Sequence, residues 1–112
     1  MCKSKLHRLS VTETNPDYAG SITIPHRLLK AANILPAEKV QVANITNGNR
    51  INTYTIAGND PSAVCLNGAA ARLFNVGDII LVISYALYES HDLENFQPTI
   101  VYVNENTNSP FK

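Results

Sequence analysis

Asn47-Gly48 separates two runs, Glu38–Ile45 and Arg50–Ala57, in which apolar and polar residues alternate. Asn-Gly between alternating segments is the strongest short hairpin signal, because a tight primed turn needs positive φ at both central residues. The middle of the chain is therefore committed to antiparallel sheet, and the rest keeps the same period. Lys5–Thr12 alternates as a strand, and Gly20–Ile24, Ser62–Asn67 and Pro98–Val103 are further candidates. Val76–Leu87 reads as a turn and a long buried strand. Pro25–Ile34 is the one helix, with Pro25 allowed in its first turn and Leu28, Leu29 and Ala32 on its apolar face. Asn67–Phe74 is a glycine turn running into a helical turn, and the polar tail from Asn104 is expected to fray.

Six or more short strands, one short helix and no repeat favour a small closed β-barrel, which protects its sheet edges. With 112 residues there is room for one domain, 1–112. Nine basic residues balance nine acidic ones, so the chain lacks the positive field of a general nucleic-acid binder and does little to oppose self-association. The longest apolar run, Ile79–Tyr88, is too short to span a bilayer as a helix. The first ten residues lack the apolar core of a signal peptide, so the expected location is the cytoplasm. Cys2 and Cys65 match no metal-ligand spacing and stay thiols in a reducing compartment, with Cys65 a small core residue. There is no Cys/His cluster and no glycine-rich phosphate loop, so no metal or nucleotide is expected.

Strand periodicity also groups side chains. Arg50 and Tyr54, four apart, share a face, and so do Lys5 and His7, two apart. Thr53 falls on the face opposite Tyr54 unless a bulge or twist intervenes or a site wraps the strand edge. Asn67 offers an amide ahead of the small residues Gly68, Ala69 and Ala70, which let backbone N–H groups approach an anion. His26 and His91 are read as surface residues. Gly20-Ser21, at the entry to a strand, is on its own a turn.

Five fragments together resemble the pyruvoyl-dependent aspartate 1-decarboxylase family: KLHR (Lys5–Arg8), YAGSIT (Tyr18–Thr23), NITNGNRINTY (Asn44–Tyr54), LNGAAAR (Leu66–Arg72) and VGDIILVISY (Val76–Tyr85). They follow the family's order and nearly its spacing, from about Lys5 to Tyr102. The resemblance implies a mainly β fold, a six-stranded double-psi β-barrel with short helices. It also implies a homotetramer with active sites at subunit interfaces, and a precursor that cuts itself into 1–20 and 21–112.

In such enzymes the serine hydroxyl, here Ser21, attacks the Gly20 carbonyl and the amide becomes an ester. Elimination then frees the Gly20 carboxylate, and hydrolysis turns residue 21 into a covalent pyruvoyl group. That group forms a Schiff base with L-aspartate and accepts the electrons left when CO2 departs, giving β-alanine for pantothenate. The resemblance assigns Thr53 to cleavage and substrate contact, Arg50 to a substrate carboxylate and Tyr54 to return of a proton. Lys5, His7, Asn67, Gly68, Ala69 and Ala70 join the substrate-binding set. Two cations, Arg50 and Lys5, suit a dicarboxylate. Cleavage can be spontaneous or assisted by a maturation factor.

Three departures from the family concern its short start, Ala43 before the hairpin, and Pro25 in place of a polar residue. A non-catalytic double-psi adaptor is the rival reading. It leaves Ser21, Thr53, Arg50 and Tyr54 together without a use.

Overall fold

The hairpin forms, with a wider loop than Asn-Gly suggested. In the computed structural model, which describes residues 1–111, the arms pair from Lys39–Tyr54 to Ala43–Arg50 and leave residues 45–49 as the loop. Gly48 has φ +82°, whereas Asn47 does not take positive φ, so this is not the two-residue primed turn. The Asn44 side chain closes the loop instead. Its Oδ1 accepts from Thr46 N–H at 2.9 Å, its carbonyl accepts from Gly48 N–H at 2.8 Å, and its Nδ2 donates to the buried Asp78 at 2.7 Å.

Strands dominate. In chain order they are β1 (Cys2–Ser10), β2 (Glu13–Asn15), β3 (Ser21–Pro25), β4 (Lys39–Asn44), β5 (Arg50–Gly58), β6 (Cys65–Asn67), β7 (Ile79–Tyr85), β8 (Thr99–Asn104) and β9 (Ser109–Pro110). The helices are short: α1 (His26–Ala31) and two 3-10 helices, Gly68–Leu73 and Ser90–Leu93. Pro25 ends β3 and precedes α1 rather than standing in its first turn, while Leu28, Leu29 and Ala32 are buried as their spacing predicts. Among the described residues no helix is long and apolar enough to cross a membrane.

One mixed nine-stranded sheet results, in the order β2-β6-β3-β5-β4-β7-β1-β8-β9. β2 and β1 stand six strands apart in that order, about 29 Å in a flat sheet at ~4.8 Å per strand. Yet only Val11 and Thr12 join them, a link that reaches roughly 10 Å. The sheet must therefore curl. Leu6, Leu9, Ile22, Ile24, Leu66 and Ile80 are fully buried on its inner side, under α1.

Two details escaped the period-2 reading. Arg8 has φ +74° at a register shift between His7 and Leu9, so both Leu6 and Leu9 face inward although they are three apart. The tail is tied down rather than frayed. Asn108 is buried, exchanges hydrogen bonds with the Ser10 backbone at 2.8 and 3.0 Å, and precedes β9 on the edge of β8.

Glu38 links three parts of the curl. Its carboxylate accepts from the buried Ser84 hydroxyl of β7, from Leu35 N–H at 3.1 Å and from Lys3 of β1 at 3.0 Å. Burial pushes its pKa up, but these hydrogen bonds and the Lys3 charge outweigh it and hold the group below the ordinary glutamate value of 4.5. Its contribution to stability is therefore complete above pH 4.5 and is lost as pH falls through the lower folded value. Glu38→Ala should destabilise the chain by about 1–3 kcal/mol, largely by orphaning Ser84, and should flatten the acid limb of the stability curve. Urea melts of both proteins from pH 7 to pH 3 check this; parallel acid limbs would remove Glu38 from that role.

Candidate functional site

Ser21 opens β3 and is fully buried. Its position follows from strand alternation. Ile22 and Ile24 belong to the core, so Ser21 and Thr23 face the other side of the sheet. β6 runs antiparallel beside them, pairing Ser21 with Asn67 and Thr23 with Cys65, and Leu66 points with Ile22 into the core. Four polar side chains thus meet on one patch. Asn67 Nδ2 donates to Ser21 Oγ at 2.9 Å and to Thr23 Oγ1 at 3.1 Å, and the Cys65 thiol donates to Asn67 Oδ1 at 3.0 Å. Burial, then the neighbouring Glu13 carboxylate through its charge and a hydrogen bond, push the Cys65 thiol up.

The peptide before Ser21 lies against the next rung. A Cβ on Gly68 would stand 2.7 Å from Gly20 Cα, 2.8 Å from Gly20 N and 3.0 Å from the Tyr18 carbonyl oxygen. Gly68 also has φ +67°, so both its conformation and its surroundings demand glycine. Around Gly20 a Cβ would meet nothing within 4 Å. Gly68, and not Gly20, is the glycine whose missing side chain lets these two backbones approach.

On the other side of β3 runs β5, parallel, with Ile22 level with Thr55. Counting back by equal steps brings Tyr54 level with Ser21 and Thr53 level with Gly20. Tyr54 is exposed and lies on the same face as Ser21, since Thr55 and Ile22 both point inward. Thr53 pairs with the buried Val40 and faces the opposite side. β5 carries no register shift against β3 or β4, so a bulge does not bring Thr53 round.

Arg50 lies on Tyr54's exposed face but further along β5. Its Nη1 donates to Gln41 Oε1 at 2.9 Å, and the Tyr85 hydroxyl donates to the same oxygen at 2.9 Å. Gln41 and Tyr85 line an open concavity with Lys39 and Asn52. Ala69 and Ala70 line a second one with Ile51, Asn52 and Leu73. Asn47 and Asn49 both donate to the Leu73 carbonyl, at 3.1 and 3.3 Å, and so hold the hairpin loop against the Gly68–Leu73 helix.

Lys5 and His7 do share the outer face of β1, but β1 stands four strands from β3 in the sheet order. Among the described residues no hydrogen bond joins either side chain to the Ser21–Asn67 cluster. His7 meets Tyr102 edge to face at 5.5 Å, and its buried Nδ1 has no hydrogen-bond partner among the described residues. Burial, then the charges of Lys5 and Arg8, hold its imidazole below the ordinary value. His26 and His91 are on the surface.

Sequence reasoning missed Cys65, Thr23, Gln41 and Tyr85. The first two could have been found, since Cys65 and Asn67, like Ser21 and Thr23, are two apart in strands and must share a face. Gln41 and Tyr85 come from different strands, and nothing local marks their shared acceptor.

Comparison with known proteins bears on the whole chain. A sequence model of the family "Aspartate decarboxylase" matches residues 1–109. The aspartate 1-decarboxylase of Thermoanaerobacter pseudethanolicus is 53% identical over 107 residues, covering 95% of this chain and 92% of the relative. That of Campylobacter jejuni is 53% identical over 106 residues, covering 95% and 84%. That of Helicobacter hepaticus is 50% identical over 105 residues, covering 94% and 88%. With half its residues shared along nearly its full length, the chain belongs to the aspartate decarboxylase family.

Proposed function

We propose that this chain is an aspartate 1-decarboxylase that cleaves itself between Gly20 and Ser21 and works with a pyruvoyl group made from Ser21. The observation that carries the reading is the buried Ser21 hydroxyl, held by Asn67 at 2.9 Å one rung from the tight Gly20–Gly68 contact. A serine whose hydroxyl accepts a hydrogen bond keeps its own proton uncommitted to that partner, and its oxygen is the nucleophile for the preceding carbonyl. Thr53, level with Gly20 on the other side, lies beside the peptide to be cleaved. Its side chain faces the other side of the sheet, so contact with that peptide requires it to turn about the strand.

The residues present suit the group. In forming the group, Ser21 Oγ would leave as an oxygen of the Gly20 carboxylate, Cβ would become the methyl and the ketone oxygen would take the place of the backbone nitrogen, which leaves Asn67 Nδ2 free to donate to an acceptor in the site. Once formed, the pyruvoyl group supplies an electron sink for the charge left on the substrate's α-carbon. The chain's own residues do the rest. Tyr54, level with Ser21 on its face, holds the proton to be returned. Arg50 is spaced four residues along the same strand to take a carboxylate in a two-bond grip, for which its bond to Gln41 must yield. Gly68, Ala69 and Ala70 keep the substrate side open.

Lys5 and His7, on the outer face of β1 and outside the Ser21–Asn67 cluster, belong to this site through a neighbouring copy. A homotetramer with interfacial sites supplies them, and exposed Tyr54, Tyr85, Ile100 and Tyr102 are aromatic and aliphatic surface for such contacts. The curl forced by the β1–β2 link fits one closed double-psi barrel domain. A cytoplasmic location, and a maturation factor where cleavage is slow, complete the reading.

The intact mass of the denatured protein tests it. Two species split at Gly20/Ser21, the larger lighter by one ammonia than simple hydrolysis requires, are expected. Ser21→Ala should give one chain and no β-alanine; decarboxylation by that variant would sink the proposal. Gly68→Ala should lower the melting temperature and slow cleavage, since an alanine there costs about 1–2 kcal/mol in conformation before any clash with Gly20. Cleavage at the normal rate would show that the close approach is dispensable. Tyr54→Phe should cleave normally and lose at least about tenfold in kcat. Near-normal turnover would take the proton-return role from Tyr54.

A further inference from the structure

Asn67 is the donor on which the Ser21 site depends, and its amide has two orientations of nearly equal shape. In the orientation described, both N–H groups point at hydroxyls, Ser21 and Thr23. Turned over, Oδ1 would face the same hydroxyls, which can donate as well as accept. The hydroxyls therefore do not choose between the two. The fourth group biases them. The Cys65 sulfur lies 3.0 Å from Asn67 Oδ1, and although a thiol is weak both as donor and as acceptor, its one S–H finds a full amide acceptor in this orientation. A turned amide would set N–H against sulfur and leave Oδ1 to draw the Ser21 proton toward itself.

We infer that Cys65 is a positioning residue for self-cleavage: its thiol holds the Asn67 amide so that Nδ2 points at Ser21 Oγ. The inference rests on the self-cleavage reading above and extends it to a residue that touches neither Ser21 nor the cleaved bond. The thiol is suited to the task because it is 7% exposed and burial raises its pKa, which keeps it an S–H at neutral pH. A thiolate would turn donor into acceptor and favour the wrong orientation. Glu13, paired with Cys65 across the β2–β6 ladder, is the nearby carboxylate that competes for the same proton, and its charge also disfavours the thiolate.

The test compares Cys65→Ser, which keeps a donor, with Cys65→Val, which keeps bulk and removes it. The readout is the cleaved fraction against time, by intact mass of the denatured chain from freshly made precursor, with melting temperatures alongside. Wild type and Cys65→Ser should cleave within about twofold of each other, and Cys65→Val up to about tenfold more slowly, the upper end of what one hydrogen bond supplies in a barrier. Cys65→Val cleaving at the wild-type rate, or Cys65→Ser slowed as much as Cys65→Val, overturns the inference. A wild-type chain that never cleaves overturns the underlying reading instead. In that case the amide orientation is read directly from the Asn67 side-chain N–H signals in nitrogen-15 spectra. These should be protected from exchange in wild type and Cys65→Ser and unprotected in Cys65→Val, and equal protection in all three overturns the inference. The same spectra serve if Cys65→Val is too unstable to give a cleavage rate, with Cys65→Ala in its place.

Discussion

Joining the ends of a seven-strand stretch of sheet through two residues is the constraint from which the rest of this structure follows. β1 and β2 are one extended segment interrupted at Val11 and Thr12, yet they pair with different neighbours, β7 and β8 in one case and β6 in the other. The chain cannot satisfy both sets of pairings without curling the sheet. The crossing is itself hydrogen-bonded: Val11 N–H donates to Asp78 at 2.9 Å and Thr12 N–H to Val64 at 2.9 Å. Once curled, the inner faces of six strands and α1 share one core, and short β6 is drawn in as the antiparallel neighbour of β3. A three-residue strand would not stand alone in water. Here it carries Cys65 and Asn67 to the patch where Ser21 is buried.

The curl also explains why a nucleophile can be buried at a strand start. β3 has β5 on one side and β6 on the other, so the peptide entering it runs between two fixed backbones. Gly68 gives way on one side by having no side chain, and Thr53 stands level on the other. On the proposed reading, such confinement would orient the Ser21 hydroxyl relative to the Gly20 carbonyl. Orientation of this kind is a large source of rate, and a rigid sheet supplies it more firmly than a loop.

Much of this was legible in the residues. Asn47-Gly48 marked the hairpin, Leu28, Leu29 and Ala32 marked the buried face of α1, and the alternation in β5 put Tyr54 and Thr53 on opposite faces. These are local signals with a fixed period, and burial of one face enforces them. What stayed hidden depends on partners distant in sequence. Arg8 in a left-handed bulge contradicts its own propensity and holds because Leu9 must reach the core and Glu105 meets its guanidinium at 2.7 Å. Asn108 looks like a tail residue until it is seen joined to Ser10, 98 positions away. β2 is too short to show a period at all.

Thr53 and Arg50 show where one chain stops being enough. Alternation and the unshifted β5 ladder leave Thr53 facing Val40, and Arg50 is engaged with Gln41 rather than pointed at Ser21. Lys5 and His7 lie four strands off. Yet Ser21, Asn67, Thr23 and Cys65 are complete and hydrogen-bonded within the single chain. Two tasks therefore separate physically. On the proposed reading, the groups for cutting Gly20–Ser21 lie in one sheet, where rigid neighbours can orient one hydroxyl. The cations that would bind a dicarboxylate sit on the outer faces of β5 and β1. Holding Arg50 and Lys5 apart in the single chain avoids burying two like charges beside each other before a substrate arrives to neutralise them.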